Sequence, residues 1–238
     1  MGIVFAILIF SFLIFIHELG HFLAAKASGV QVNEFAMFMG PALVKWQRGE
    51  TLYSIRCIPL GGYCAMEGED TDTDNPRSFQ KAAWWKRLCI LLAGAAMNLV
   101  SGFLIFALVF APSKGFAQPV IAEAETGNTV VYEAGLHVGD RILEIDGNRV
   151  YITSDVSMLL KMGGRTTYDL VIQRDDEVVE LNDFPMERHE FPNKDGSTSK
   201  RYGFTYAYEE KTLGSLLNQT WKTCLSVVQS VKLSFGCF

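Results

Sequence analysis

Two long apolar runs divide this chain. From Met1 to Ile16, and again from Leu88 to Ser113, no residue is charged. The second run holds 26 residues, too long for a soluble core helix and about the length that crosses a bilayer. In the first, a helix continues past the uncharged run through His17, Glu18, His21 and Phe22 to Ala25. At 1.5 Å per residue, Gly2 to Ala25 measures about 36 Å, enough to span with some tilt. A cleaved signal peptide would begin with basic residues and end at a small-residue cleavage site. Nothing basic precedes this run, so an uncleaved membrane helix is the preferred reading.

Between and after the runs the pattern changes to that of strands. Glu34 to Met39 and Pro41 to Ile58 read as extended, with Leu43 to Trp46 and Thr51 to Ile55 flanking a hairpin turn at Gln47-Arg48-Gly49-Glu50. Beyond the second run, Ile142, Ile145 and Val150 about the Asp146-Gly147 turn predict a strand pair, and Ser154 to Lys161 a short helix. Tyr168 to Arg174 and Glu177 to Leu181 alternate as strands around Asp175-Asp176. A small, mostly β domain of about 75 residues fits this stretch.

Charge assigns sides to these segments. The net charge is −5 over 238 residues, and without a basic cluster or interleaved aromatics it argues against a nucleic-acid partner. Composition excludes collagen-like, low-complexity and disulfide-scaffold classes. The stretch between the runs carries 8 basic residues, ending in Lys86 and Arg87 at the mouth of the second span, whereas residues 114 to 211 hold 11 basic and 18 acidic residues. The positive-inside rule therefore places the middle loop in the cytoplasm, and the N-terminus and the acidic stretch outside. Cys57, Cys64, Cys89, Cys224 and Cys237 form no C-x-x-C, and they read as small apolar fillers rather than disulfides or zinc ligands.

The chemistry lies in the first span. His17-Glu18-Leu19-Gly20-His21 is H-E-x-x-H. On a helix, i and i+4 are about 40° apart around the axis, so both imidazoles reach one metal ion, while Glu18 can hold and deprotonate a water. Zinc suits this set, because water on it ionises near neutral pH and the ion polarises a scissile carbonyl. A single charge at mid-bilayer costs about 2.5–3.5 kcal/mol, so three ionisable groups after sixteen uncharged residues point to function, and a divalent cation offsets the cost. The candidate roles are Glu18 as general base and His17 and His21 as zinc ligands. In the second span, Ala93-Gly94-Ala95-Ala96 allows close helix packing, and Asn98 either packs against the His17 helix or contacts substrate or a catalytic group. The hairpin offers a strand edge on which substrate could be held extended, or it only plugs the membrane face. Asp70, Asp72 and Asp74 begin like a calcium loop, but Asn75 and Lys81 stand where Gly and Glu are needed. His137 and His189 read as surface histidines.

Taken in order, these motifs resemble the site-2-protease-like zinc metalloproteases of regulated intramembrane proteolysis, in the bacterial branch with one PDZ domain. His17 to His21 matches the zinc motif of that family. Gly40-Pro41, Ile58 to Tyr63 and Gly68-Glu69-Asp70 match its membrane-associated β loop; Phe79 to Arg87 and Ala93-Gly94 to Asn98 match the next span, and Ala134-Gly135-Leu136 to Asp146-Gly147 its PDZ domain. The resemblance implies a polytopic α-helical membrane protein with a membrane-associated β hairpin loop and an inserted α+β PDZ domain. The expected order is a first membrane helix (1–28), a cytoplasmic-side loop with the hairpin (29–87), a second membrane helix (88–113), the PDZ domain (114–190), a linker and strand (191–211), and an amphipathic segment entering a third span (212–238). It further implies an intramembrane endopeptidase of the bacterial cytoplasmic membrane that cuts transmembrane segments of single-span substrates, such as anti-sigma factors or signal-peptide remnants. Gly61, Gly62 and Asn98 are candidates for substrate contact, and the expected partners are a transmembrane substrate and the bilayer.

Two positions depart from the pattern. Ala95 stands where the family usually has Pro, and the family's third zinc ligand, the Asp of a later Leu-Asp-Gly, has no counterpart here. The Asp146-Gly147 pair follows Ile145 and belongs to the PDZ turn. The tail Leu213 to Phe238, broken by Lys222 and Lys232, reads as an unfinished third span, so the expectation is a C-terminally truncated protease that is inactive alone. The rival expectation is a non-catalytic, membrane-anchored PDZ binding module.

Overall fold

The computed structural model describes residues 2–71, 73–124, 135–186, 188–192 and 197–236. Met1, Asp72, Ala134, Cys237, Phe238 and the side chain of His189 lie outside the described residues. The chain divides into two compact units, 1–104 and 105–238.

The first unit is built on two apolar helices, α1 (Gly2–Ser28) and α2 (Trp84–Phe110). Their mean hydropathies reach 2.4 and 2.2, and each is long enough to cross a membrane. Phe5, Leu8, Ile9 and Phe12 of α1 and Leu91, Leu92 and Leu99 of α2 are exposed, a surface suited to the apolar interior of a bilayer. The second helix begins four residues before the expected start, so Lys86 and Arg87 fall in its first turn. There Lys86 Nζ donates to the Ser28 carbonyl at 2.9 Å, satisfying one of the unpaired carbonyls at the end of α1. The two helices meet backbone to backbone: a Cβ on Gly20 would lie 2.4 Å from the Ala93 carbonyl oxygen, so only glycine permits this crossing.

Between the helices run β1 (Val32–Arg48) and β2 (Thr51–Met66). The turn is tighter than the sequence suggested, because Gln47 and Arg48 pair with Leu52 and Thr51 and leave Gly49 and Glu50 at the tip. Glu34, Phe35, Ala36 and Met37 are paired on both sides, with Ala65, Cys64, Tyr63 and Gly62 on one and with Leu52, Tyr53, Ser54 and Ile55 on the other. Residues 62–66 are thereby an outer strand of the sheet. Phe35, Val32, Cys64 and Met66 share a core with Ala25, Val30 and Ile90, and Phe22 lies against Phe35 with ring centres 4.8 Å apart. At the far end of the sheet the Ser11 hydroxyl donates to the Pro59 carbonyl, while Met39, Leu43, Val44, Ile58 and Leu60 are exposed.

The second unit contains a sheet ordered β10-β3-β4-β6-β7, with β5 paired to β4. These strands are β3 (Gly115–Ala124), β4 (Arg141–Ile145), β5 (Asn148–Arg149), β6 (Thr167–Arg174), β7 (Glu177–Pro185) and β10 (Phe204–Glu210). A separate pair joins β8 (His189–Pro192) to β9 (Thr198–Arg201). The predicted strand pairs, their turns at Asp146-Gly147 and Asp175-Asp176, and the short helix, α3 (Thr153–Gly163), are present. The expected boundary at residue 190 is not where this sheet ends, since β10 lies beyond it and pairs with β3. Ile142, Ile145, Leu170, Ile172, Phe184 and Val156 form the core. The buried Asp140 carboxylate holds the loop before β4 by accepting from the His137 amide at 2.7 Å and from Arg174 at 2.8 and 2.7 Å.

The tail is one helix, α4 (Leu213–Gly236), and it turns the less expected face inward. Ser215, Gln219, Thr223 and Ser226, at helical spacing, are buried, whereas Leu213, Leu217, Trp221, Val228, Val231 and Phe235 form an exposed stripe. A Ser/Thr face can be buried because its hydroxyls bond within the helix: Thr220, Thr223 and Ser230 each donate at 2.8 Å to the carbonyl four residues back. Ser226 also donates to Asp155 of α3, and Gln229 to the Arg149 carbonyl at 2.7 Å.

Candidate metal centre

His17, Glu18 and His21 occupy the middle turns of α1, where the helix passes Gly94 of α2. The two imidazoles converge, with their Nε2 atoms 3.1 Å apart and ring planes at 80°. Two nitrogens on a tetrahedral zinc at 2.0–2.1 Å are separated by about 3.3 Å, so the pair fits that ion with little adjustment. The ring of His21 is oriented by the Ile90 carbonyl, 2.8 Å from its Nδ1. An acceptor there holds the proton on Nδ1 and leaves Nε2 with its lone pair, the arrangement a metal-binding histidine needs. The ring of His17 has Asn98 as its outer neighbour, with the amide nitrogen 3.4 Å from Nδ1.

Space for the pair depends on one residue. A Cβ at Gly94 would lie 2.5 Å from His21 Nε2 and 2.7 Å from His17 Nε2. The small-residue run in α2 thus serves two ends: Ala93 and Gly94 receive Gly20, and Gly94 leaves room for the imidazoles.

Glu18 points to the outer strand of the hairpin. Its carboxylate interacts with both histidines and with the backbone N–H of Cys64, and a Cβ on Gly62 would lie 3.8 Å from its Cγ. Of the residues singled out in sequence, Gly62 is therefore beside Glu18 and Asn98 is beside His17, while Gly61 supplies a left-handed turn with φ +79° before the strand. Burial pushes the Cys64 thiol up to about 12, with Glu18 and Glu69 adding to the rise. Among the described residues no set of three His, Cys, Asp or Glu side chains is assembled at the centre; the two imidazoles are the candidate ligands brought together there.

Sequence reasoning did not find Ile90, whose part is played by a backbone carbonyl that no residue type announces. Nor did it find the polar cluster that braces the hairpin. Arg56 donates to the Gly40 carbonyl at 2.7 Å, to Glu34 at 2.8 Å and to the Tyr63 hydroxyl. Burial, then Glu34, pushes Tyr63 up to about 12. At the other end Glu50 accepts from Arg77 at 2.6 and 2.9 Å and from Lys26 at 2.7 Å, which ties the hairpin tip to the end of α1.

Fold and site together define a class: apolar, membrane-length helices that carry two imidazoles and a carboxylate against a strand edge. The chain belongs to peptidase family M50, whose family model matches residues 5–236. M50 is a membrane-embedded family whose cofactor is zinc. Three similar proteins carry the name "putative zinc metalloprotease". The one from Clostridium perfringens is 38% identical over 211 residues, covering 89% of this chain and 60% of that protein. The one from Clostridium acetobutylicum is 42% identical over 156 residues, covering 66% and 45%. The one from Thermotoga maritima is 35% identical over 199 residues, covering 80% and 39%. The chain thus spans about half the length of the curated relatives it matches.

Proposed function

We propose that this chain carries the general base and two zinc ligands of an intramembrane metalloendopeptidase that cuts transmembrane segments of single-span substrates in regulated intramembrane proteolysis. The observation that carries the reading is the pair of Nε2 atoms 3.1 Å apart in a membrane-length helix, one residue from a carboxylate that faces a strand edge.

His17 and His21 would hold the metal. When bound, zinc supplies a Lewis acid that polarises the scissile carbonyl and draws the pKa of water toward neutrality. Glu18 accepts the proton of the attacking water and returns it to the leaving amide nitrogen, which needs its carboxylate ionised at the start. The outer strand, residues 62–66, would pair with an unwound substrate segment, since proteases act on extended backbone and strand edges recognise it by main-chain hydrogen bonds. Gly62 beside Glu18 keeps that approach open.

In this reading α1 and α2 span the bacterial cytoplasmic membrane and the exposed apolar end of the hairpin dips into it. The β domain of the second unit is a PDZ domain on the outer side that docks or filters substrates. The exposed stripe of α4, beginning where Lys211 donates to the Ala111 carbonyl just past α2, faces the bilayer. A catalytic zinc normally has three protein ligands, and among the described residues two candidates, His17 and His21, are brought together.

The test is cleavage of a single-span substrate by the intact protein in its membrane, wild type against Glu18→Gln, with zinc content measured in both. Loss of cleavage with zinc retained is the expected result. Near-normal turnover in the variant would overturn the assignment of Glu18, and absence of zinc from both would favour the binding module.

A further inference from the structure

Each ring at the centre has one outer partner, and the two partners differ in kind. The Ile90 carbonyl can only accept, so it fixes the His21 tautomer with the proton on Nδ1. Asn98 can do either, since a carboxamide presents an acceptor oxygen and a donor nitrogen related by a half-turn. Its Nδ2 lies 3.4 Å from His17 Nδ1, and its Oδ1 is buried without a hydrogen-bond partner. A donor facing Nδ1 leaves the His17 proton on Nε2, where Nε2–H donates a hydrogen bond to His21 Nε2 across 3.1 Å. That chain of bonds satisfies both rings, but it occupies the two lone pairs a metal would use.

We propose that Asn98 is a positioning residue that selects the tautomer of His17 and reverses its amide when metal binds. Turned by a half-turn, the now orphaned Oδ1 accepts from Nδ1–H of His17, and Nε2 is freed. An amide suits this position because it serves both states in turn. A leucine would serve neither, and a carboxylate would hold the second alone. The inference rests on the reading of His17 and His21 as metal ligands.

The experiment uses the 238-residue chain, labelled with 15N-histidine and held in nanodiscs, with and without zinc. Correlation of ring nitrogens to ring protons is expected to place the His17 proton on Nε2 without metal and on Nδ1 with zinc, while His21 keeps its proton on Nδ1 throughout. In Asn98→Leu, zinc affinity measured against a competing chelator falls about 10- to 100-fold, the range typical for loss of such a partner, and the His21 signal is unchanged, which reports an intact crossing. Asn98→Asp recovers most of the affinity and shows the Nδ1 proton on His17 even without zinc. Zinc binding by Asn98→Leu at wild-type strength, with His17 still reaching the Nδ1 form, overturns the role of Asn98. A wild-type chain whose ring nitrogens do not respond to zinc overturns instead the metal-site reading beneath it.

Discussion

At the scale of single residues, the centre depends as much on missing atoms as on its imidazoles. Gly20 and Gly94 let two helix backbones touch where a methyl group would lie 2.4 Å from a carbonyl or 2.5 Å from a ring nitrogen. The clash at Gly20 cannot be relieved by moving a flexible side chain, since the obstacle there is backbone. Gly94→Ala is therefore expected to push the two imidazoles apart and lower zinc affinity about tenfold or more, with both membrane helices still formed. Competition with a chelator checks the affinity and circular dichroism the helices; unchanged affinity would mean that the rings do not need this space. The convergence of His17 and His21 was legible in the sequence because i and i+4 share a helix face whatever the rest of the chain does. The space beside them was not, because the fit between Gly94 and His21 joins residues far apart in the chain.

At the scale of elements, the hairpin is held by charges at its tip and by a polar cluster along its length. The hydrogen bonds from Arg77, then the one from Lys26, hold the Glu50 carboxyl down to about 2 from an ordinary 4.5. A depressed carboxylate stabilises the folded form fully above its ordinary value and loses that contribution as pH falls through the folded one. The tip should therefore loosen between about pH 4.5 and 2. Amide exchange in β1 and β2 measures this: Glu50→Gln is expected to exchange faster than wild type at neutral pH, with the difference closing as pH falls through that window. An equal exchange rate at neutral pH would show that the ion pairs do not hold the tip, as exposed pairs often contribute little. The hairpin turn was visible in the alternation of its flanks. Its outer strand at 62–66 was not, because Gly61, Gly62 and Cys64 carry no strong strand preference and are extended by pairing with β1.

At the scale of the whole molecule, apolar side chains are exposed on the outer faces of α1 and α2, at the far end of the hairpin and along the stripe on α4, and α1 and α2 are long and apolar enough to cross a membrane. The stripe makes a separate prediction. With Trp46, Trp84 and Trp85 replaced by Phe, the fluorescence of Trp221 in proteoliposomes should be quenched more strongly by lipids brominated near the headgroups than by those brominated near the bilayer centre, as for a helix lying in the interface. Quenching by aqueous iodide with no effect of either lipid would place α4 away from the membrane. The sequence by itself determined the features that depend on local spacing: the length of the apolar runs, the paired histidines and their carboxylate, and the strand pairs about Asp146-Gly147 and Asp175-Asp176. Tertiary structure alone decided which distant groups complete them. It set the Ile90 carbonyl behind His21 and Asn98 behind His17, carried Phe204–Glu210 back to pair with β3, and turned the Ser/Thr face of α4 inward. The physical reason is that periodicity records which face of an element is apolar, whereas the partner of that face depends on groups brought together from elsewhere in the chain. A hydroxyl already bonded to its own helix, or a backbone carbonyl free to accept, leaves no mark in the pattern of residue types.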